Sequence, residues 1–437
     1  MKLKYLQTLL LITLLALPVK AQVYLDSAEI AHILHKEDPK AIIVDKEEDS
    51  DSDEDSDVFV TPFDNDNTKS WQENITARLN GILKSDIVET TQVGLMVWDL
   101  TDNKQVYAFN ERKHLRPAST MKCVTAITAL DRLGCNYNYQ TRIFYTGTID
   151  STKVLNGDIY CVGGMDPMLS NNDLSAIAHA IKDLGVERIN GNLYADLSFK
   201  DRDEFGHGWC WDDKNPRLIP LSMGRKDCFM GVLRTELRRI GVEHNGVMSE
   251  KIVPNNATLI TTRTHSIGEV MRRMMKKSDN FYAESMFYQL AAANNGKWNG
   301  AKQARNEVNS LIRKIGLSPS NYNIADGSGL SLYNYVSAEL ELQLLRYAFS
   351  KTDIFNTLYN TLPIAGVDGT LRKRMRHTPA ANNVRAKTGT VMGVSSLAGY
   401  LTASNGHRLC FAIIVNGGMS QSPMRNLQNK ICVALSQ

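Results

Sequence analysis

Three short runs of this 437-residue chain carry residue types that could perform acyl transfer. The first is Pro117-Ala118-Ser119-Thr120-Met121-Lys122. Positions i and i+3 share a helix face, so the Ser119 hydroxyl and the Lys122 amine would sit side by side. A serine hydroxyl is a poor nucleophile until a neighbouring base takes its proton. A partly buried lysine can be that base, because desolvation disfavours its charged form. Alone, Ser-x-x-Lys is expected by chance roughly once or twice in a chain of this length, and a helix start beside a solvated charge is the plainer reading. The second run, Ser278-Asp279-Asn280, places a hydroxyl and an amide at the joint of two helical stretches. Its twin at Ser170–Asn172 sits in a Ser-Asn-Asn-Asp cluster that reads as an N-cap. The third run, Lys387-Thr388-Gly389-Thr390, is strand-like. Alternation sets Lys387 and Gly389 on one side, Thr388 and Thr390 on the other. A cation and hydroxyls beside the gap left by a glycine suit a carboxylate, although an edge strand with a turn glycine is the plainer alternative.

These runs need elements to hold them. Helical periodicity marks 70–83, and two strand-like runs at 92–100 and 105–110 flank the turn Thr101-Asp102-Asn103-Lys104. The helix carrying Ser119 follows and stops at Gly134. From about 141 to 261 the texture changes to short strands with frequent Gly and Asn turns, such as 157–162 and 191–197, with helices at 173–184 and 229–240. Amphipathic helices resume at 266–275, 281–293, 301–315 and 337–349. Strands follow at 384–392, 395–403 and 408–416, and a last helix at 423–434. The prediction is an α+β fold: two early and three late strands form a five-stranded antiparallel sheet flanked by helices. Residues 67–140 and 262–437 would make one domain, with 141–261 as an inserted α+β region.

The chain ends add constraints. Residues 1–21 read as a signal peptide, with Lys2 and Lys4 ahead of an apolar stretch and small residues near Ala21. Residues 22–66 hold 15 acids and 3 bases, and eight of the acids lie between Glu47 and Asp57. Such a run repels itself and reads as a disordered linker, and it contains no Asp-x-Asp-x-Asp-Gly calcium loop. The body from Thr68 onward carries 44 bases against 32 acids. In an exported protein this basic surplus points away from nucleic acid, and either towards a polyanionic wall polymer or towards plain solubility. Seven cysteines leave at least one unpaired unless a bridge forms between chains; Cys210 with Cys228 and Cys410 with Cys432 are possible bridges. No Cys-x-x-Cys pair exists and the histidines are scattered, so neither a metal nor another cofactor is expected.

Ser-x-x-Lys, Ser-Asp-Asn and Lys-Thr-Gly in this order form a set shared by penicillin-binding proteins and class A β-lactamases. Further runs narrow the resemblance. Lys277-Ser278-Asp279-Asn280-Phe281-Tyr282-Ala283-Glu284, Asp326-Gly327-Ser328-Gly329-Leu330-Ser331, Leu362–Leu371, Gly163-Gly164-Met165-Asp166-Pro167 and Trp211-Asp212-Asp213 resemble the D-alanyl-D-alanine carboxypeptidase/endopeptidase family of class C penicillin-binding proteins, peptidase family S13. That family has a large insertion between its first two motifs, and here 155 residues separate Lys122 from Ser278. The resemblance runs from about Trp71 to the C-terminus. It implies a transpeptidase-like fold and hydrolysis of cell-wall stem peptides through an acyl-enzyme, with β-lactams as covalent inhibitors.

It also implies roles: Ser119 as nucleophile, Lys122 as base, Ser278 and Lys387 as proton relay, and Asn280 on a substrate amide. Thr388, Gly389 and Thr390 would receive the terminal carboxylate, with Ser119 and Thr390 N–H groups forming the oxyanion hole. The two lysines would depress each other's pKa. Asp166 would bind a side-chain ammonium, although Met165 shifts the register of its motif. Leu332 stands where the family often places a base, and Asp326 would shape its loop. A β-lactamase is the first rival, but neither the Glu-x-x-Leu-Asn of class A nor the Tyr-x-Asn of class C occurs. A non-catalytic β-lactam sensor or wall-binding protein is the second.

Overall fold

The computed structural model describes residues 63–437 apart from 65, 211, 212, 214 and 295. The expected signal peptide and nearly all of the acidic linker therefore lie outside the described residues. The first helix, α1 (Trp71–Ile82), begins where Ser70 and Glu73 close a capping box. A short helix α2 (Asp86–Thr90) precedes the hairpin of β1 (Gln92–Asp99) and β2 (Lys104–Phe109). A 3-10 turn at Ala118–Thr120 then leads into α3 (Met121–Leu133), which ends at Gly134 with φ +89°.

Next come β3 (Asn138–Tyr145), β4 (Thr148–Ile149), β5 (Val154–Asn156), β6 (Ile159–Val162), α4 (Asn171–Lys182), β7 (Arg188–Ile189) and β8 (Leu193–Asp196). They are followed by α5 (Phe229–Arg239), β9 (Glu243–His244), β10 (Met248–Glu250) and β11 (Thr258–Ser266). The remainder is α6 (Ile267–Lys276), α7 (Asn280–Ala291), α8 (Ala301–Lys314), α9 (Ala338–Phe349), α10 (Thr352–Tyr359), β12 (Arg385–Val391), β13 (Val394–Thr402), β14 (Arg408–Asn416) and α11 (Gln421–Ser436).

The expected five-stranded sheet is present, ordered β12-β13-β14-β1-β2. All of its pairs are antiparallel, and β1 meets β14 from Gln92↔Asn416 to Asp99↔Leu409. Its central strands are buried on both faces, which is why β14 reads as the apolar run Leu-Cys-Phe-Ala-Ile-Ile-Val rather than as an alternation. On one face Leu95, Phe411 and Ile413 pack under Ile75 and Leu79 of α1 and Leu427 and Ile431 of α11. On the other, Met96, Ala412 and Ile414 join a core built from α3, α6, α7, α8 and α9.

The region between α3 and α6 forms its own sheet, β10-β8-β6-β3-β11, beside a small four-stranded one. Strands β3 and β11 pair antiparallel from Asn138↔Ser266 to Tyr145↔Thr258, so the chain leaves and returns along one ribbon. Boundaries at 141 and 262 fall inside that ribbon, because a strand shared with the exit path has no turn residues to betray its ends. Helices α4 and α5 cover this sheet through Leu174, Ile177, Ile181, Leu233 and Leu237. All seven cysteines are free. Cys410 and Cys432 cannot meet, since they belong to cores on opposite faces of the main sheet. Cys210 is exposed, whereas the Cys228 thiol contacts the Met223 carbonyl.

Candidate active site

The turn that begins α3 places Ser119 half-buried at the helix start and Lys122 wholly buried one turn on. Ala118 takes φ +47°, a left-handed conformation uncommon for a residue with a Cβ. The chain passing over it is Gly329, where an added Cβ would come within 1.8 Å of the Ala118 carbonyl oxygen. That close approach explains one glycine of the Gly327-Ser328-Gly329 loop.

Lys122 Nζ lies 2.8 Å from Ser119 Oγ, 2.7 Å from Asn280 Oδ1 and 2.8 Å from the Ser328 carbonyl. Burial lowers its pKa to about 8, against the opposing pull of Asp326, Glu284 and Asp279. Desolvation is the leading cause, as expected for a buried lysine, whereas the charged side chains Asp326, Glu284 and Asp279 act in the direction opposite to the further depression expected from Lys387. At about 8 a useful fraction of the amine is neutral near neutrality, so Lys122 can accept the Ser119 proton.

Ser278 and Asn280 divide the two lysines between them. Lys387 Nζ donates to Ser278 Oγ at 2.8 Å and to the Thr388 carbonyl at 2.6 Å, while Asn280 faces Lys122. Ser278 sits at φ +58°, in the left-handed region. Asp279 caps α7 through the Tyr282 N–H, and its buried carboxylate takes Arg273 Nε at 2.8 Å together with the Arg225 guanidinium. Asn280 Nδ2 also donates to Asn215 Oδ1 at 3.3 Å.

Strand β12 closes the site. Lys387 and Gly389 are buried while Thr388 and Thr390 are half-buried, in agreement with the expected alternation. Thr388 Oγ1 donates to Thr370 Oγ1 at 2.7 Å. An added Cβ on Gly389 would lie 2.7 Å from the Pro117 carbonyl oxygen and 2.9 Å from the Ser119 nitrogen. The strand therefore runs directly against the backbone N–H of Ser119, which only a glycine permits.

Asp326 organises its loop. It accepts from Gly329 N–H at 2.8 Å, Ser331 N–H at 2.7 Å and Asn334 Nδ2 at 2.7 Å. Trp209 Nε1 donates to it as well, at 2.9 Å. Glu284 on α7 accepts the N–H groups of Gly327 and Ser328, and burial raises its pKa to about 8. The loop contacts of Asp326 match the role expected for it, but Glu284, Trp209, Thr370 and the Ser328 carbonyl carried no expectation of their own. Only their place inside runs such as Phe281-Tyr282-Ala283-Glu284 marked them.

Asp166 is the one site candidate that the structure sets apart. Its side chain is fully buried, bound to His265 Nδ1 at 2.7 Å and to the Met168 N–H at 3.0 Å. The segment around it serves as a seam: Gln289 Nε2 and Ser285 Oγ of α7 donate to the carbonyls of Gly164 and Met165. A carboxylate with no exposed oxygen is not placed to receive an ammonium ion, so that expectation is corrected. Residues 211 and 212 lie outside the described residues.

Comparison with known proteins places the chain in a family. The model of the D-Ala-D-Ala carboxypeptidase 3 (S13) family matches residues 75–223 and 216–437. The D-alanyl-D-alanine carboxypeptidase DacB of Haemophilus influenzae is 25% identical over 77% of this chain and 87% of its own length. The D-alanyl-D-alanine carboxypeptidase of Actinomadura sp. (strain R39) is 26% identical over 82% and 84%. The crystal structure of penicillin binding protein 4 from H. influenzae superposes with a TM-score of 0.74 at 23% identity, covering 84% of this chain and all of that one. The chain belongs to the D-Ala-D-Ala carboxypeptidase 3 (S13) family.

Proposed function

We propose that the protein is a serine-type D-Ala-D-Ala carboxypeptidase and peptidoglycan endopeptidase that works through an acyl-enzyme. The observation that carries this reading is the contact of Lys122 Nζ with Ser119 Oγ at 2.8 Å, made by a buried amine with a pKa near 8. Neutral Lys122 takes the hydroxyl proton as Ser119 Oγ bonds to the carbonyl carbon before the terminal D-alanine. The N–H groups of Ser119 and Thr390 receive the developing oxyanion, usually among the largest contributions to acyl transfer. The C–N bond then breaks. Ser278, held beside the cationic Lys387, gives its hydroxyl proton to the leaving amine and regains one from the protonated Lys122, so D-alanine departs neutral at nitrogen and Lys122 is free again. Water next hydrolyses the ester and returns the proton to the serine.

Thr388 and Thr390 hold the terminal carboxylate with the charge of Lys387 behind them, and Asn280 holds a substrate amide. Asp166 is left out of the substrate contacts. A β-lactam enters by the same attack, but its amine stays tethered after ring opening, which slows release. We assign the protein to the cell envelope outside the cytoplasm, on its N-terminal leader, and treat 138–266 as the inserted unit.

Ser119→Ala is expected to abolish D-alanine release from a synthetic stem pentapeptide and from crosslinked murein, with an unchanged melting temperature. Release that survives the substitution would contradict the assignment.

A further inference from the structure

Beneath the turn that carries Ser119 lies a buried acid that none of these steps uses. Glu341 on α9 is 1% exposed. Its Oε1 lies 2.5 Å from Thr120 Oγ1, and its Oε2 has no hydrogen-bond partner among the described residues. Thr120 Oγ1 also lies 2.8 Å from the Pro117 carbonyl oxygen and 3.2 Å from Ser396 Oγ, and Ser396 donates to that same carbonyl.

Counting protons separates two states of this cluster, because a threonine hydroxyl has one proton to give. With Glu341 ionised, Thr120 must donate to it, and Pro117 keeps only Ser396 as a donor. The second carboxylate oxygen is then a buried anion without a partner, an expensive state. With Glu341 protonated, its O–H donates to Thr120, and Thr120 donates onward to Pro117. Both lone pairs of the Pro117 carbonyl are then filled, and only one neutral oxygen is left over. Burial favours this form and keeps the acid protonated up to about 8. From α3, Cys123 faces Glu341, and burial holds it as a thiol up to about 12. Lys122 of α3 and Lys387 of β12 act on that same thiol, and Cys123 acts in turn on Tyr400 of β13, as Cys410 of β14 does.

We propose that Glu341 is a positioning residue for acylation: as a neutral acid it feeds a donor through Thr120 to the Pro117 carbonyl and so fixes the turn that presents Ser119 to β12. This rests on the reading of Ser119 as nucleophile. The turn has little slack, since the Pro117 carbonyl and the Ser119 nitrogen are both within 3 Å of where a Cβ on Gly389 would stand. Loss of one donor on Pro117 as Glu341 ionises therefore moves the nucleophile. Acylation should decline on the alkaline side of about pH 8, against the rise that a lysine base gives.

The test is the acylation rate with a fluorescent penicillin from about pH 6 to about pH 10, for wild type, E341Q, T120V, the double variant and S119A. Glutamine donates at every pH, so E341Q should lack the alkaline decline and exceed wild type about fivefold at the top of the range, the worth of one hydrogen bond. T120V should be slower by a similar factor, lack the decline, and be unaffected by adding E341Q. An alkaline limb of E341Q that superimposes on wild type overturns the proposal. So does an E341Q rate reduced equally at every pH, which would mark a merely structural role. So do additive effects of the two substitutions. Labelling of S119A would instead overturn the nucleophile reading, so the two failures are distinct.

Discussion

At Ser119 the chemistry turns on where Lys122 keeps its proton. The same burial that removes water from Lys122 gives its three N–H directions fixed acceptors: Ser119, Asn280 and the Ser328 carbonyl. A lysine whose pKa is lowered from 10.5 to about 8 is charged below that value and neutral above it. The acylation rate should therefore rise about tenfold per pH unit below about 8 and level off above it, apart from the decline assigned to Glu341. Lys122→Arg keeps a charge that does not dissociate, and is expected to cut acylation by about a thousandfold or more with no acid limb remaining. Stopped-flow acylation over a pH series checks both.

Ser119, Lys122, Ser278, Asn280 and Lys387 could be read from the chain because acyl transfer needs those residue types, and their order along it is characteristic. Asp166 could not be placed by the same means, because a motif says nothing about which side of a strip of backbone faces solvent. Glu341 and Ser396 carry no local signal at all. They matter only through contacts made across 221 and 276 residues with Thr120.

Among the elements, β12 and the turn before α3 are the pair that must not move. Gly389 lets them meet, and its added Cβ would also press to 2.0 Å from Ser396 Oγ. Gly389→Ala should push the strand off the Ser119 N–H and open the oxyanion hole. The expected loss is about a hundredfold in acylation, the size of removing one oxyanion donor, with a modest fall in melting temperature. Labelling kinetics and a thermal melt on the same sample check it, and acylation within about twofold of wild type would contradict the geometry.

Most elements were legible because their patterns are strong, as in the capped helix α1 and the apolar run of β14. Two were not. Strand β11 is polar and only partly buried along Thr-Leu-Ile-Thr-Thr-Arg-Thr-His-Ser, so it has no clean alternation to betray it. Helix α10 is only eight residues long and begins at Lys351–Thr352 without a side-chain cap.

For the whole molecule, the region between β3 and β11 is more than a passenger. It reaches the site through Trp209 on Asp326, Asn215 on Asn280 and Arg225 on Asp279, and it rests on α7 through the Gly164 and Met165 carbonyls. The position of such an insertion is visible in the spacing of the motifs, but its buttressing contacts are not, since each joins residues far apart in the chain. The excess of bases over acids from Thr68 onward leaves the body net positive beside an acidic N-terminal stretch.

If Ser119 alone becomes acylated, mass spectrometry of the intact protein after incubation with benzylpenicillin will reveal it. A single adduct equal to the whole antibiotic is expected, since ring opening expels no fragment, carried by the peptide that contains Ser119 and absent from Ser119→Ala. An adduct on any other residue, or none on the folded wild type, would contradict it.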